Sequence, residues 1–97
     1  MQIIARKVLR EFWERYPDSE QQLKTWYAEA KGAAWQTPAD VKAKYAAASI
    51  LKGSRLVFNI CGNKYRLVVK INYPHQVIYV RFLGTHKQYN DIDAETI

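Results

Sequence analysis

The stretch Arg55–Asn90, RLVFNICGNKYRLVVKINYPHQVIYVRFLGTHKQYN, decides the fold. Apolar residues alternate along it with the two-residue period of β-strands, and Gly62-Asn63 and Pro74-His75 interrupt it as turns. Three strands are predicted: Leu56–Ile60, Tyr65–Asn72 and Val77–Leu83. Gly62-Asn63 supplies the hairpin turn between the first two, and Gly84 is expected to end the third. Successive side chains of a strand point to opposite faces. Tyr65, Leu67, Val69 and Ile71 therefore share one face, and Arg66, Val68, Lys70 and Asn72 the other. The consistent arrangement places Leu67, Val69, Ile78, Val80 and Phe82 beneath helices. Arg66, Lys70, Tyr79 and Arg81 then lie together on the opposite face.

Working outward from this stretch, its charge is one-sided. It holds six Lys/Arg, both histidines and no Asp or Glu, whereas residues 1–54 hold nine cations against six acids and residues 91–97 only three acids. The chain as a whole carries +6, and its pI is about 9.6. A positive excess concentrated in a sheet points to phosphate and nucleic acid more than to general solubility.

Upstream, Gln2–Ile4 reads as a short edge strand. From Ala5 the period changes to that of an amphipathic helix, with Val8, Leu9, Phe12, Trp13 and Tyr16 on one stripe and Pro17 closing it. Asp18 reads as an N-cap with Gln21 in capping-box position. The second helix runs to about Lys31, burying Leu23, Trp26, Tyr27 and Ala30, with Gly32 just past its end. Thr37-Pro38 opens a short third helix carrying Val41 and Tyr45, and Ser49–Ser54 reads as a loop. The expected fold class is α+β: one domain over residues 1–97, two N-terminal helices on one face of a mainly antiparallel sheet, and a short extra helix before the sheet. Cys61, alone, cannot build a disulfide framework or a cysteine-rich zinc site and is expected to be a small buried or half-buried thiol. The start of the chain does not read as a signal peptide, and no segment approaches the ~20 apolar residues of a membrane span. A soluble protein of a reducing compartment is expected.

Motifs for nucleotide-binding loops, serine nucleophiles and zinc-peptidase helices are missing. The basic sheet also lacks the clustered carboxylates by which a nuclease holds Mg²⁺, so no metal and no cofactor is expected. What these residue types can support is cleavage of RNA by its own 2′-OH. That reaction needs a proton acceptor, a proton donor and a cation for the phosphorane. Histidine, lysine and tyrosine can move protons, and arginine offers a bidentate fork. Tyr89 can orient phosphate, stack on a base, or pack the C-terminal segment onto the sheet. Lys64, Lys70, Arg81, Arg55 and Tyr79 are expected to bind the RNA backbone or its bases. The same surface would also serve a non-catalytic RNA- or ribosome-binding module, with Tyr65, Tyr79 and Tyr89 as stacking platforms. No helix presents basic residues to a DNA groove.

GNKYRLVVKINY, followed after a short turn by VIYVRFLGTHKQYND, resembles the HigB family of toxins from bacterial toxin–antitoxin modules, within the wider RelE-like mRNA endonucleases. Two leading helices and the TPADVK segment extend the likeness over nearly the whole chain. The resemblance implies a RelE-like fold and a ribosome-dependent mRNA endonuclease acting in the ribosomal A site of the bacterial cytoplasm, in contact with ribosomal RNA. It implies a helix-turn-helix antitoxin as partner, and DNA contact only through the antitoxin complex. It also implies catalytic positions at Arg66, His86, Lys87 and Tyr89. Some RelE-like enzymes use lysine and arginine as acid and base where this chain offers His86, which leaves the proton roles open among His86, Lys87 and Tyr89.

Overall fold

Pro17 cannot continue the first amphipathic run, and the chain turns there through a single 3-10 turn, Pro17–Ser19. The computed structural model describes residues 1–97. Its elements are β1 (Gln2–Ile4), α1 (Arg6–Arg15), α2 (Glu20–Gly32), α3 (Pro38–Lys44), β2 (Ser49–Ile50), β3 (Arg55–Ile60), β4 (Tyr65–Asn72), β5 (Val77–Thr85) and α4 (His86–Asn90). The five strands form one sheet in the order β1-β5-β4-β3-β2. β1 lies parallel to β5, and every other pairing is antiparallel. The α+β class is as the residues indicate, with β4 at the centre of the sheet. No helix is long and apolar enough to cross a membrane.

The main core lies between the sheet and α1–α3. Leu9 and Trp13 from α1, Leu23, Trp26 and Ala30 from α2, and Val41 from α3 meet Leu56, Phe58, Ile60, Tyr65, Leu67, Val69, Ile71 and Ile78 from the strands. α3 begins where Thr37-Pro38 predicts: Thr37 Oγ1 accepts from Asp40 N at 3.3 Å and the Asp40 carboxylate accepts from Thr37 N at 3.2 Å.

Gly84 does not end the third strand, because its backbone still pairs with Arg66 and β5 runs on to Thr85 opposite Tyr65. Four further local expectations give way, each for a physical reason. Asp18 does not cap α2. Its carboxylate instead reaches the β3–β4 hairpin, accepting from Lys64 Nζ and, at 2.6 Å, from the Tyr65 hydroxyl. The hairpin itself turns one residue earlier than Gly62-Asn63, with positive φ at Cys61 (54°) and Gly62 (66°). Ser49–Ile50 is a two-residue strand rather than loop, paired with Val57 and Leu56. The fourth concerns β5. Val68 faces Phe82 while Val69 faces Val80, which leaves Arg81 as an extra residue. Such a bulge inverts the alternation beyond it. Leu83 therefore packs against the main core, and Phe82, expected beneath the helices, turns to the opposite face with Val57 and Val68.

Asp18 thus links the corner between the two long helices to the central strand. Hydrogen bonds from Lys64 first and Tyr65 second hold its carboxyl below the usual carboxylate range. A depressed carboxyl contributes stability that is present above its unfolded value of about 3.9 and is lost as pH falls through the lower folded value. Asp18→Asn is expected to lower stability at neutral pH and to flatten the acid limb of stability against pH. Urea unfolding from pH 2 to 7 measures this; superimposable profiles for variant and parent would contradict it.

Candidate nucleic-acid interface

The outward face of the sheet is not open along its length. Val57 and Val68 lie on it, only 3% and 0% exposed, covered by Ala94 of the C-terminal segment. Ile92, Ile97, Leu51, Phe82 and Tyr89 pack around them. The chain leaves β5 at Thr85, turns through α4 and runs back over β3 and β4. At its far end Ile97 O accepts from Arg55 Nε at 2.9 Å. The single cationic face expected from alternation is thereby divided in two, with an apolar centre between.

One half surrounds Arg66. Arg66 stands opposite Gly84 across the β4–β5 pair, so its cross-strand partner on that side adds no side chain of its own. Its guanidinium lies 5.7 Å from the centre of the Tyr89 ring, a cation–π contact that restricts the fork. One donor, Nη1, reaches Asn63 O at 3.3 Å. No carboxylate pairs with this guanidinium, since the five ion pairs of the chain all lie elsewhere. Four of the five N–H donors of the side chain are left to meet an anion. The Tyr89 ring also stands 6.4 Å from Phe82, so the same tyrosine packs the C-terminal segment and supports the arginine.

α4 carries the remaining proton-moving groups into this region. Thr85 Oγ1 accepts from Gln88 N at 3.1 Å while Gln88 Oε1 accepts from Thr85 N at 2.9 Å, a complete capping box. His86 N donates to Lys64 O at 3.1 Å, which fastens the start of α4 to the β3–β4 hairpin. His86 Nδ1 lies 3.4 Å from Asn90 Nδ2, and both His86 and Lys87 are exposed. Arg66 and Tyr89 are therefore in contact, with His86 and Lys87 on the short helix that bears Tyr89. No three His, Cys, Asp or Glu side chains gather to hold an ion.

The other half is a cavity of about 430 Å³ between the ends of β4 and β5, lined by Lys70, Tyr79, Arg81, Ser54, Asn72 and Tyr73 among others. Of the residues expected to bind RNA, Lys70, Tyr79 and Arg81 meet here. Arg55 is the cross-strand partner of Lys70 on β3 but does not line the cavity, its Nε being bound to Ile97 O, and Lys64 lies elsewhere, engaged with Asp18. Two contributors escaped the sequence reading. Thr85-His86-Lys87-Gln88 has the spacing of a capping box and could have announced α4. Gly84 had no such signal, because its role depends on what surrounds it.

These features define a small basic α+β domain with an arginine–tyrosine pair, free of carboxylates, on the sheet face away from its long helices. The family model described as HigB_toxin, RelE-like toxic component of a toxin-antitoxin system, matches residues 19–92. The chain belongs to this family, and a toxin of this kind has an antitoxin as its partner. It is 28% identical over 96 residues to the mRNA interferase toxin HigB of Escherichia coli K12, covering 97% of this chain and 92% of that protein. The mRNA interferases HigB of Escherichia coli O157:H7 and Shigella flexneri match to the same extent.

A Cβ at Gly84 would come within 2.6 Å of both Gln88 Oε1 and the Phe82 ring. Gly84→Ala is therefore expected to break the Gln88 half of the cap, at a cost of about 1 kcal/mol. A lower urea midpoint and faster amide exchange at Thr85, with exchange in β3 unchanged, would show it. Unaltered exchange at Thr85 would contradict this role for Gly84.

Proposed function

We propose that this toxin is an mRNA interferase that cuts mRNA in the ribosomal A site by attack of the ribose 2′-OH on the adjacent phosphorus. The observation that carries the reading is the Arg66 guanidinium, held against Tyr89 and without a carboxylate partner. In this reaction the 2′ oxygen bonds to phosphorus, the P–O5′ bond breaks, and a 2′,3′-cyclic phosphate forms. One proton leaves the 2′ oxygen and one reaches the departing 5′ oxygen. Arg66 neutralises the additional charge of the phosphorane, the place where a fixed bidentate cation contributes most. His86, Lys87 and Tyr89 supply the proton acceptor and donor, all three presented by one short helix docked beside Arg66. None of these roles calls for a metal ion.

The relatives, named as mRNA interferases, support an mRNA substrate. The charge of +6 suits association with ribosomal RNA, which salt should weaken. Inhibition by the antitoxin would follow from covering the Arg66–Tyr89 site or from making the complex too large for the A site.

Arg66→Ala is expected to abolish growth arrest on expression and to lower mRNA cleavage by about 10²–10³-fold, with the circular dichroism of the parent. Arg66→Lys should recover only part of the activity, since an ammonium cannot reproduce the fork. A fully toxic Arg66→Ala protein would refute the assignment.

A further inference from the structure

The cavity at the far end of the outward face is not needed by the cleavage step, yet its chemistry is specific. Lys70 and Tyr79 are cross-strand partners, and the bulge extrudes Arg81 beside them. No carboxylate lines the cavity, and neither Lys70 nor Arg81 takes part in an ion pair. The half-buried Tyr79 lines the cavity together with the two cations and the amide side chain of Asn72. Two unpaired cations with an aromatic ring suit a phosphate joined to a base.

Position argues for the same ligand. Lys70 lies four residues beyond Arg66 on β4, about 13 Å at the strand rise of ~3.3 Å. The apolar centre beneath Ala94 separates the two sites over β3 and β4. A mononucleotide cannot touch both; a single strand can, since about four stacked nucleotides at ~3.4 Å each span that distance. Arg81, on the β5 side, stands along the route.

We infer that the cavity lined by Lys70, Tyr79 and Arg81 is a second RNA subsite, which holds a nucleotide of the substrate strand several positions from the cut phosphate. The base stacks on Tyr79, and Lys70 and Arg81 each hold one of the two backbone phosphates that flank it. This rests on the mRNA-interferase reading only for the choice of RNA as ligand.

The test uses the full chain carrying Arg66→Ala, so that the probe, a fluorescent octauridylate, stays intact. Anisotropy is measured over a series of KCl concentrations. Adding Lys70→Ala and Arg81→Ala is expected to weaken binding at least about tenfold and to reduce the salt slope by about 1.4, or ~0.7 for each phosphate contact on a single strand. Tyr79→Leu is expected to weaken binding about fivefold or more with the slope unchanged, and Tyr79→Phe to retain it. The exposed pair Lys7 and Arg10 on α1 is the control, and its removal is expected to matter far less. Because a variant can misfold, the octamer should also perturb the amide resonances of Lys70, Tyr79 and Arg81 in the chain with an unaltered cavity.

Undiminished binding by the Lys70/Arg81 variant would overturn the subsite, as would an equal loss from the Lys7/Arg10 control. So would resonances that respond to a glutamate-rich peptide and not to RNA, which would assign the cavity to an acidic protein segment. Failure of the cleavage reading is distinct: the wild-type chain would leave ribosome-bound mRNA intact while the octamer still depended on Lys70, Tyr79 and Arg81.

Discussion

Val68 has no exposed surface although it sits on the face of β4 that points away from the three helices of the main core. That burial is the constraint on which the site depends. Val57, Val68 and Phe82 form an apolar patch that water would otherwise meet, and covering it is what draws Ile92, Ala94 and Ile97 back over the sheet. A helix of five residues is too short to persist by its own hydrogen bonds. α4 is held instead by its reciprocal cap and by this packing, and Tyr89 comes to rest between Phe82 and Arg66 as a result. The patch also makes two cationic sites out of one surface.

β4 is gripped as firmly from the other side. The Tyr65 ring meets Phe12 at 5.1 Å and Tyr16 at 5.4 Å, and its hydroxyl is bound by Asp18 at the corner of the helices. Leu67, the other neighbour of Arg66 along the strand, is fully buried. Arg66 therefore projects from backbone with little freedom to move, while its own guanidinium remains free of acids. Catalysis of phosphate transfer by a fixed charge requires that combination, because reorientation at the moment of reaction would offset much of the electrostatic gain. The toxin family to which the chain belongs supplies the biological setting; rigid backbone beneath an unpaired fork is the physical means that the proposed cleavage would use.

Much of this was legible in the residues. Helix and strand periods locate α1, α2, the start of α3, β3 and β4 to within a residue or two. The family resemblance carried by YRLV and THKxY groups Arg66 with His86, Lys87 and Tyr89 without announcing that the last three stand on a helix. The rest depended on features that local patterns do not carry. A bulge leaves no trace in an alternating sequence, so Phe82 was placed on the wrong face, and Arg81 owes its position to that same irregularity. The segment Asp91–Ile97 is short and acidic, and no period within it announces that Ile92, Ala94 and Ile97 pack on the sheet. The clue was Val68, an aliphatic residue between Arg66 and Lys70 on a face taken to be open. Asp18 misled for a different reason: a carboxylate at a helix start has two satisfactory uses, and the more distant partners, Lys64 and Tyr65, prevailed.

The ends of the cut RNA report directly which group attacks the phosphorus, the 2′-OH or water. Ribosomes programmed with an mRNA are treated with the purified toxin, and both fragments are analysed by mass spectrometry, in parallel with an mRNA carrying 2′-deoxy sugar at the cut position. Attack by the 2′-OH predicts a 2′,3′-cyclic phosphate or 3′-phosphate upstream, a 5′-hydroxyl downstream, and no cut in the deoxy-substituted message. A 3′-hydroxyl with a 5′-phosphate, or cleavage at the deoxy position, would mean that water attacks instead and would contradict the role given to Arg66 and the helix beside it.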